Sequence, residues 1–237
     1  MLRSIKQLYG NKLGASDGEI GHVKDCYFDD RNWAVRYLIV DTGSWLPGRQ
    51  VLISPYALGR LDPAERILRA NLTRKQIEDS PAMEEHKPVS RQFEEQYHRY
   101  FGWPCYWEID ALWGLSDVQI REQPVEPLPG EPAAASRPRL DRTDGQLRST
   151  LAVNGYHLQA SDGVIGHVCD FLMNPQSWAI DMLVIKTGHR LSGSEVRLRV
   201  DKVDRISWEE STVLGSLTWD ADERSPTHLL DPFSVAH

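Results

Sequence analysis

Apolar and polar residues follow a strand-like pattern along much of this chain. The stretch "WAVRYLIVDTG", which begins at Trp33, is rich in β-branched and aromatic residues and ends in a Thr-Gly turn. Alternation assigns its side chains to two faces, with Trp33, Val35, Tyr37 and Ile39 on one and Ala34, Leu38 and Val40 on the other. Both faces are largely apolar, so the pattern predicts a strand that is buried on both sides.

Turn residues separate this strand from others of similar length. The segments "GNKLGA" and "IGHVKD" flank a Ser-Asp-Gly turn, which predicts a hairpin with Asp17, Gly18 and Gly21 as structural turn residues. Thr73 and Gln76 have capping-box spacing, so a short helix is expected there. Five or six short strands in about 80 residues predict a small closed β-barrel filled by its own side chains.

The whole pattern recurs 145 residues later. Residues 2–81 align with residues 147–226 without a gap and share 29 identities over 80 positions. Asp162, Gly163 and Gly166 repeat the three turn residues of the first copy. We therefore expect a mainly β fold, with two small barrels in tandem and short helices between them.

The sequence divides into five parts on this basis. They are barrel repeat one at 1–81, an aromatic-rich helical arm at 82–113, a flexible Pro-rich linker at 114–146, barrel repeat two at 147–226 and a tail at 227–237. The linker assignment rests on its content of Pro, Ala and charged residues.

The arm is the most aromatic part of the chain. Four of its aromatic residues have the spacing of one helical stripe, namely Phe93, Tyr97, Tyr100 and Phe101. Gly102 should end the helix, and an extended segment should follow that carries Trp103, Tyr106 and Trp107. These seven residues form the predicted interface, because so much aromatic surface must be covered. We expect them to cover the open end of barrel one; the alternatives are barrel two, a second subunit or a partner.

Composition narrows the classes of function. The net charge of -7 argues against nucleic acid as a partner, which needs a basic face. No apolar run is long enough to cross a bilayer, and the first ten residues lack a signal-peptide core, so a cytoplasmic protein is expected. The partner should then be another protein or a second copy of the chain. The three cysteines have no metal-type spacing.

Candidate chemistry is sparse. His22 and His167 occupy equivalent positions, each three residues before an Asp, but a strand would point the two side chains of such a pair to opposite faces. The chain has neither the elbow sequence of serine hydrolases nor a phosphate-loop spacing. We predict no catalytic residue, no metal ligand and no cofactor.

The ordered motifs resemble the PRC-barrel family. They are "DGEIGHVKDCYFDD", "WAVRYLIVDTG" and "GRQVLISP" in the first copy, and "DGVIGHVCDFLMN" and "WAIDMLVIKTG" in the second. That family includes the cytoplasmic domain of the photosynthetic reaction centre H subunit and the ribosome maturation factor RimM. The resemblance implies a small β-barrel that docks on proteins and has no shared chemistry.

The expected function is therefore a non-catalytic cytoplasmic adaptor or assembly module that docks on a protein complex through its barrels. By resemblance, that complex would be a membrane or photosynthetic one. The first alternative is an accessory factor for RNA processing or ribosome assembly, and a hydrolase ranks last.

Overall fold

The computed structural model describes residues 2–58, 67–83, 89–107, 147–161, 163–187 and 195–216. The protein is mainly β. Its strands in these ranges are β1 (Arg3–Ser4), β2 (Lys12–Ala15), β3 (Gly18–Asp29), β4 (Ala34–Asp41), β5 (Gln50–Ile53), β6 (Ile67–Arg69), β7 (Leu147–Ser149), β8 (His157–Ala160), β9 (Gly163–Met173), β10 (Ile180–Thr187), β11 (Glu195–Arg199), β12 (Val203–Ser207) and β13 (Thr212–Gly215). The α-helices are α1 (Arg74–Glu78), α2 (Arg91–Phe101) and α3 (Thr150–Val153), and short 3₁₀ helices span Ile5–Leu8, Pro55–Ala57 and Val200–Lys202.

The strands form two sheets with one strand order. The first sheet runs β5-β4-β3-β2-β6, and the second runs β11-β10-β9-β8-β13-β12. In the first sheet β6 pairs in parallel with β2, and in the second sheet β13 pairs in parallel with β8. The two copies, whose sequences align without a gap, thus share a strand order over the described residues. Among those residues, no ladder joins the two ends of either path.

A β-bulge changes one predicted face of β4. Tyr37 lies opposite Tyr27, but Val35 lies opposite Phe28, so Arg36 is an extra residue on this strand. Val35 therefore turns to the inner core, whereas Tyr37 remains on the outer face. The prediction that Val35 and Tyr37 share a face was wrong, because strict alternation does not allow for a bulge. The strand is buried on both sides, as predicted.

One continuous core joins the two halves of the chain. It contains side chains from both sheets, and the rings of Phe28 and Phe171 lie 5.5 Å apart across it. A second, smaller cluster lies on the outer face of the first sheet, where Tyr37, Ile39 and Leu52 contact Tyr97 of α2.

The predicted helix signals are confirmed. Thr73 and Gln76 form the capping box at the start of α1. Gly102 ends α2 in the left-handed conformation, with a φ of 71°. None of the described helices has the length and apolar character that crossing a membrane requires.

Candidate interaction site

The predicted turn residues lie in the β2–β3 hairpin and at the start of β9. Asp17 also accepts a hydrogen bond at 2.8 Å from the backbone N–H of Arg74, so the turn is tied to α1. Gly163 has a φ of 138°, which favours glycine, whereas Gly18 at 159° is close to extended backbone. Asp162 lies outside the described residues.

Gly21 and Gly166 are required for a different reason, which is a close approach of two backbones. A Cβ on Gly21 would lie 1.9 Å from the carbonyl oxygen of Asp41. A Cβ on Gly166 would lie 2.2 Å from the carbonyl oxygen of Lys186. The strongest glycine requirement of the shared motif is therefore inside the sheets, next to β4 and β10, and not in the turn.

The two shared histidines lie near the surface. His22 is exposed on β3 and His167 is half-buried on β9. The carboxylate of Asp25, three residues after His22, is hydrogen-bonded to the other half of the chain. Within the described ranges, no three His, Cys, Asp or Glu side chains come together as metal ligands.

The first strand of each copy pairs with the sheet of the other copy. β1 runs antiparallel to β9, with Ser4 opposite Leu172. β7 runs antiparallel to β3, with Ser149 opposite Tyr27. Positions 4 and 149 differ by the 145-residue offset of the repeat, so the two pairings are equivalent. The copies have exchanged their first strands.

A buried carboxylate fixes one exchanged strand. Asp25 is 8% exposed and accepts hydrogen bonds from Ser149 Oγ at 2.5 Å, Thr150 Oγ1 at 3.0 Å and the backbone N–H of Leu151 at 3.1 Å. Burial raises the pKa of Asp25, and these hydrogen bonds act in the opposite direction. The carboxylate therefore holds β7 and the start of α3 against the first sheet.

The other exchanged strand has the same arrangement. Asp170 accepts hydrogen bonds from Ser4 Oγ and, at 3.1 Å, from the backbone N–H of Lys6. Sequence reasoning missed this role of the two aspartates. The available signal was that Ser4 and Asp170 are identical to their equivalents Ser149 and Asp25.

The two copies also meet at the ends of β4 and β10. Ala34 and Ala179 form an isolated antiparallel bridge and are themselves equivalent positions. The flanking residues donate two backbone hydrogen bonds, from Val35 to the Trp178 carbonyl at 2.9 Å and from Ile180 to the Trp33 carbonyl at 2.6 Å. A local two-fold axis that passes between Ala34 and Ala179 therefore relates the two copies at this contact.

The aromatic arm packs on the outer face of the first sheet. Tyr97 is 1% exposed and donates a hydrogen bond at 2.6 Å to the backbone carbonyl of Leu52. Phe101 stacks on Trp103 with ring centroids 4.5 Å apart, and Tyr97 contacts both rings. The arm thus covers an outer sheet face within its own chain.

The remaining predicted arm residues differ in burial. Tyr106 is buried, Phe93 and Trp107 are half-buried like Trp103, and Tyr100 is 42% exposed. Both tryptophans are therefore mostly buried, as the need to cover them predicts. The chain after Gly102 is extended only as far as Cys105, and a helical turn begins at Tyr106, where the sequence predicts an extended segment.

A buried polar network lies under the arm. Glu94 accepts hydrogen bonds from Tyr106 at 2.6 Å and from Tyr37 at 3.0 Å, and pairs with Arg91 at 3.1 Å. Tyr37 also lies 2.9 Å from Nε2 of His98. Burial raises the pKa of Glu94 and of Tyr37 and lowers the pKa of His98. Sequence reasoning missed this network, because its polar members lie within an aromatic stripe.

The surface of the second copy carries an exposed aromatic residue. Trp208 is 59% exposed in the β12–β13 turn, and its ring meets that of Tyr156 at 6.4 Å. Leu151 and Val164 are also exposed in this half of the chain. The equivalent positions of the first copy hold Lys6 for Leu151, Asn11 for Tyr156 and Glu19 for Val164.

Comparisons with known proteins add no relative. No family model matches this chain, and no curated protein is significantly similar to it.

Proposed function

We propose that this chain is a tandem PRC-barrel protein in which each copy is a small barrel with an exchanged first strand. Two observations support the assignment. Each sheet has a meander of four strands, after which a later strand returns to pair in parallel with the first, an arrangement that fits a small, strongly curved sheet. The motif "DGEIGHVKD" lies in the hairpin that leads into the long central strand of the first sheet.

We propose that the protein is a non-catalytic adaptor or assembly module that docks on a protein complex. The observation that carries this proposal is the exposure of Trp208 beside Tyr156. Tryptophan is enriched among the residues that dominate protein interfaces, and such anchors are large aromatic side chains that a partner buries. The first copy has Asn11 and Pro63 at the positions equivalent to Tyr156 and Trp208, so it lacks this aromatic pair, and we propose the second copy as the docking side.

Site-specific cross-linking tests this function. A photoreactive amino acid would replace Trp208 in the full chain, in cells, and Tyr100 would serve as the matched control because it is an exposed aromatic residue of the arm. We expect one protein adduct from position 208 that is absent from position 100. An adduct with RNA would favour the accessory-factor alternative, and the same adducts from both positions would contradict the proposal.

A further inference from the structure

We propose that each repeat carries a self-complementary surface whose partner is a second copy of the same repeat. The two repeats then form the equivalent of a two-fold symmetric dimer within one chain. The halves bind each other even when the segment that links them is cut. Binding between the halves is independent of the proposed function.

Four of the polar contacts between the halves form two equivalent pairs. Ser149 and the Leu151 N–H bind Asp25, and 145 positions earlier Ser4 and the Lys6 N–H bind Asp170. The two backbone bonds have the same length of 3.1 Å. In an isologous interface, residue i of one partner meets residue j of the other and j meets i, and these contacts satisfy that rule.

The centre of the interface obeys the same rule. Ala34 meets its own equivalent, Ala179, as a residue on a two-fold axis must. Trp33 and Trp178 precede this bridge with φ angles of 50° and 60°, a conformation that few residues other than glycine adopt. Both copies retain this unusual backbone where their carbonyl groups accept the bonds that cross the interface.

The apolar contacts between the halves are part of the hydrophobic core, so each half depends on the other for its stability. The core is continuous across the interface, and Phe28 and Phe171 are each 2% exposed or less within it. Separated halves would expose these side chains and leave the edge of β3 without β7. Interfaces of this kind resemble a domain core cut in two and are typical of obligate partners.

One ion pair crosses the interface in a single direction, because the equivalent of Asp30 is Pro175. Arg148 of β7 pairs with Asp30 at 2.7 Å, and both side chains are largely buried. The equivalent of Arg148 is Arg3, so the first copy also carries the arginine that a second copy of itself would offer to Asp30.

The test uses the full chain with a protease site inserted within residues 114–146. After complete cleavage, native mass spectrometry and size-exclusion chromatography follow the two fragments during dilution. We expect a 1:1 complex of the fragments, with a mass near the 27.0 kDa of the intact chain, that separates only when it unfolds. Fragments that elute apart in native buffer would overturn the proposal.

A pair of variants tests whether the equivalent hydrogen bonds, and not only the apolar core, hold the fragments together. In the cleaved chain, Ser4→Ala and Ser149→Ala each remove one of two equivalent hydrogen bonds across the interface, together with the equivalent cap of the helical turn that follows, and Ser44→Ala is the control on an exposed loop. We expect each interface variant to raise the dissociation constant by roughly 3- to 10-fold, the range for one hydrogen bond. If neither variant changed it, or if only one did, the two-fold account would be wrong.

Discussion

The outer faces of the two sheets have the same strand order, but they differ in their side chains and in their contact with the arm. The first carries Tyr37, Ile39 and Leu52, and the arm lies on it. The equivalent residues of the second are Met182, Val184 and Arg197. The strand order is shared, so the two faces differ in their outward side chains and in the arm that follows only the first copy along the chain. We expect the outward side chains to contribute to the binding of the arm.

The adjacent 3₁₀ helices extend this contrast. Tyr56 of the first copy stacks against Trp103 of the arm, with ring centroids 6.1 Å apart. Its equivalent is Asp201, which is exposed and pairs with Arg199 at 3.2 Å. An arm laid on the second face would have to bury these charges, which is unfavourable unless each one is paired.

The largest expected loss of stability comes from giving the first face a residue of the second, which is the arginine found at position 197. Leu52→Arg places a charge at a position that is 4% exposed, in a cluster of apolar side chains under Tyr97. An uncompensated buried charge costs about 3–5 kcal/mol, so we expect the arm to detach. Urea denaturation and binding of a hydrophobic dye measure the loss.

The reverse exchange is the control. Arg197 is exposed, so Arg197→Leu should change the free energy of unfolding by no more than about 0.5 kcal/mol. Equal losses from the two substitutions would contradict the view that the faces differ.

A second prediction concerns what the copies share. Gly21→Ala and Gly166→Ala push a methyl group into a carbonyl of the neighbouring strand. We expect each to destabilise the protein by about 1–3 kcal/mol, the usual cost of overpacking. Gly14→Ala is the control because its added Cβ has only an ordinary contact at 3.9 Å. Thermal melts compare the three, and a control that lost as much as the others would rule out the close-approach explanation.

A smaller effect is expected at the hydroxyl that joins the arm to the sheet. Tyr97→Phe keeps the ring but leaves the Leu52 carbonyl without its 2.6 Å donor. The loss should be about 1–2 kcal/mol in denaturant titrations. Tyr100→Phe is the control, since its hydroxyl bonds the Gln76 carbonyl at an exposed position. A larger loss from the control would mean that the arm is not anchored at Tyr97.

The smallest effect is a pH dependence of the arm. Burial lowers the pKa of His98, and Arg36 and Arg91 add to this, while the contact with Pro104 opposes it. A lowered folded pKa means that stability is complete above the ordinary value of about 6.5 and is lost as pH falls through the folded value. Fluorescence of the arm tryptophans should change as the arm loses stability at low pH. In the His98→Gln variant this pH dependence should disappear.

Glu94 of the same network gives stability the opposite dependence on pH. Burial raises its pKa, so its contribution is complete below the ordinary value of about 4.3 and is lost as pH rises through the raised value. Glu94→Gln should remove this second step and leave the His98 step in place. A pH profile that neither substitution alters would show that the network does not govern the arm.

Local sequence signals predicted local structure well. The capping box at Thr73, the helix end at Gly102 and the common strand order of the copies all follow from short-range pattern or from the repeat. Strict alternation failed at Val35, because a bulge depends on how two strands pair.

The exchange of first strands could not be predicted from the sequence. Each copy contains both the strand and the edge that receives it, so pairing within a copy and pairing between copies satisfy the same sequence pattern. The same holds for the acceptors Asp25 and Asp170, whose partners lie more than 120 residues away in the chain. Only the three-dimensional arrangement distinguishes the two pairings.

Disulfide trapping tests the exchange most directly. In a chain whose three natural cysteines are replaced by alanine, Ser4→Cys is combined either with Leu172→Cys, its partner across the exchange, or with Tyr27→Cys, its partner if each copy kept its own first strand. We predict that the first pair oxidises rapidly to an intramolecular disulfide in dilute native protein and that the second does not. Rapid oxidation of the pair that includes Tyr27→Cys, with none at Leu172→Cys, would contradict the exchange of strands between the two copies.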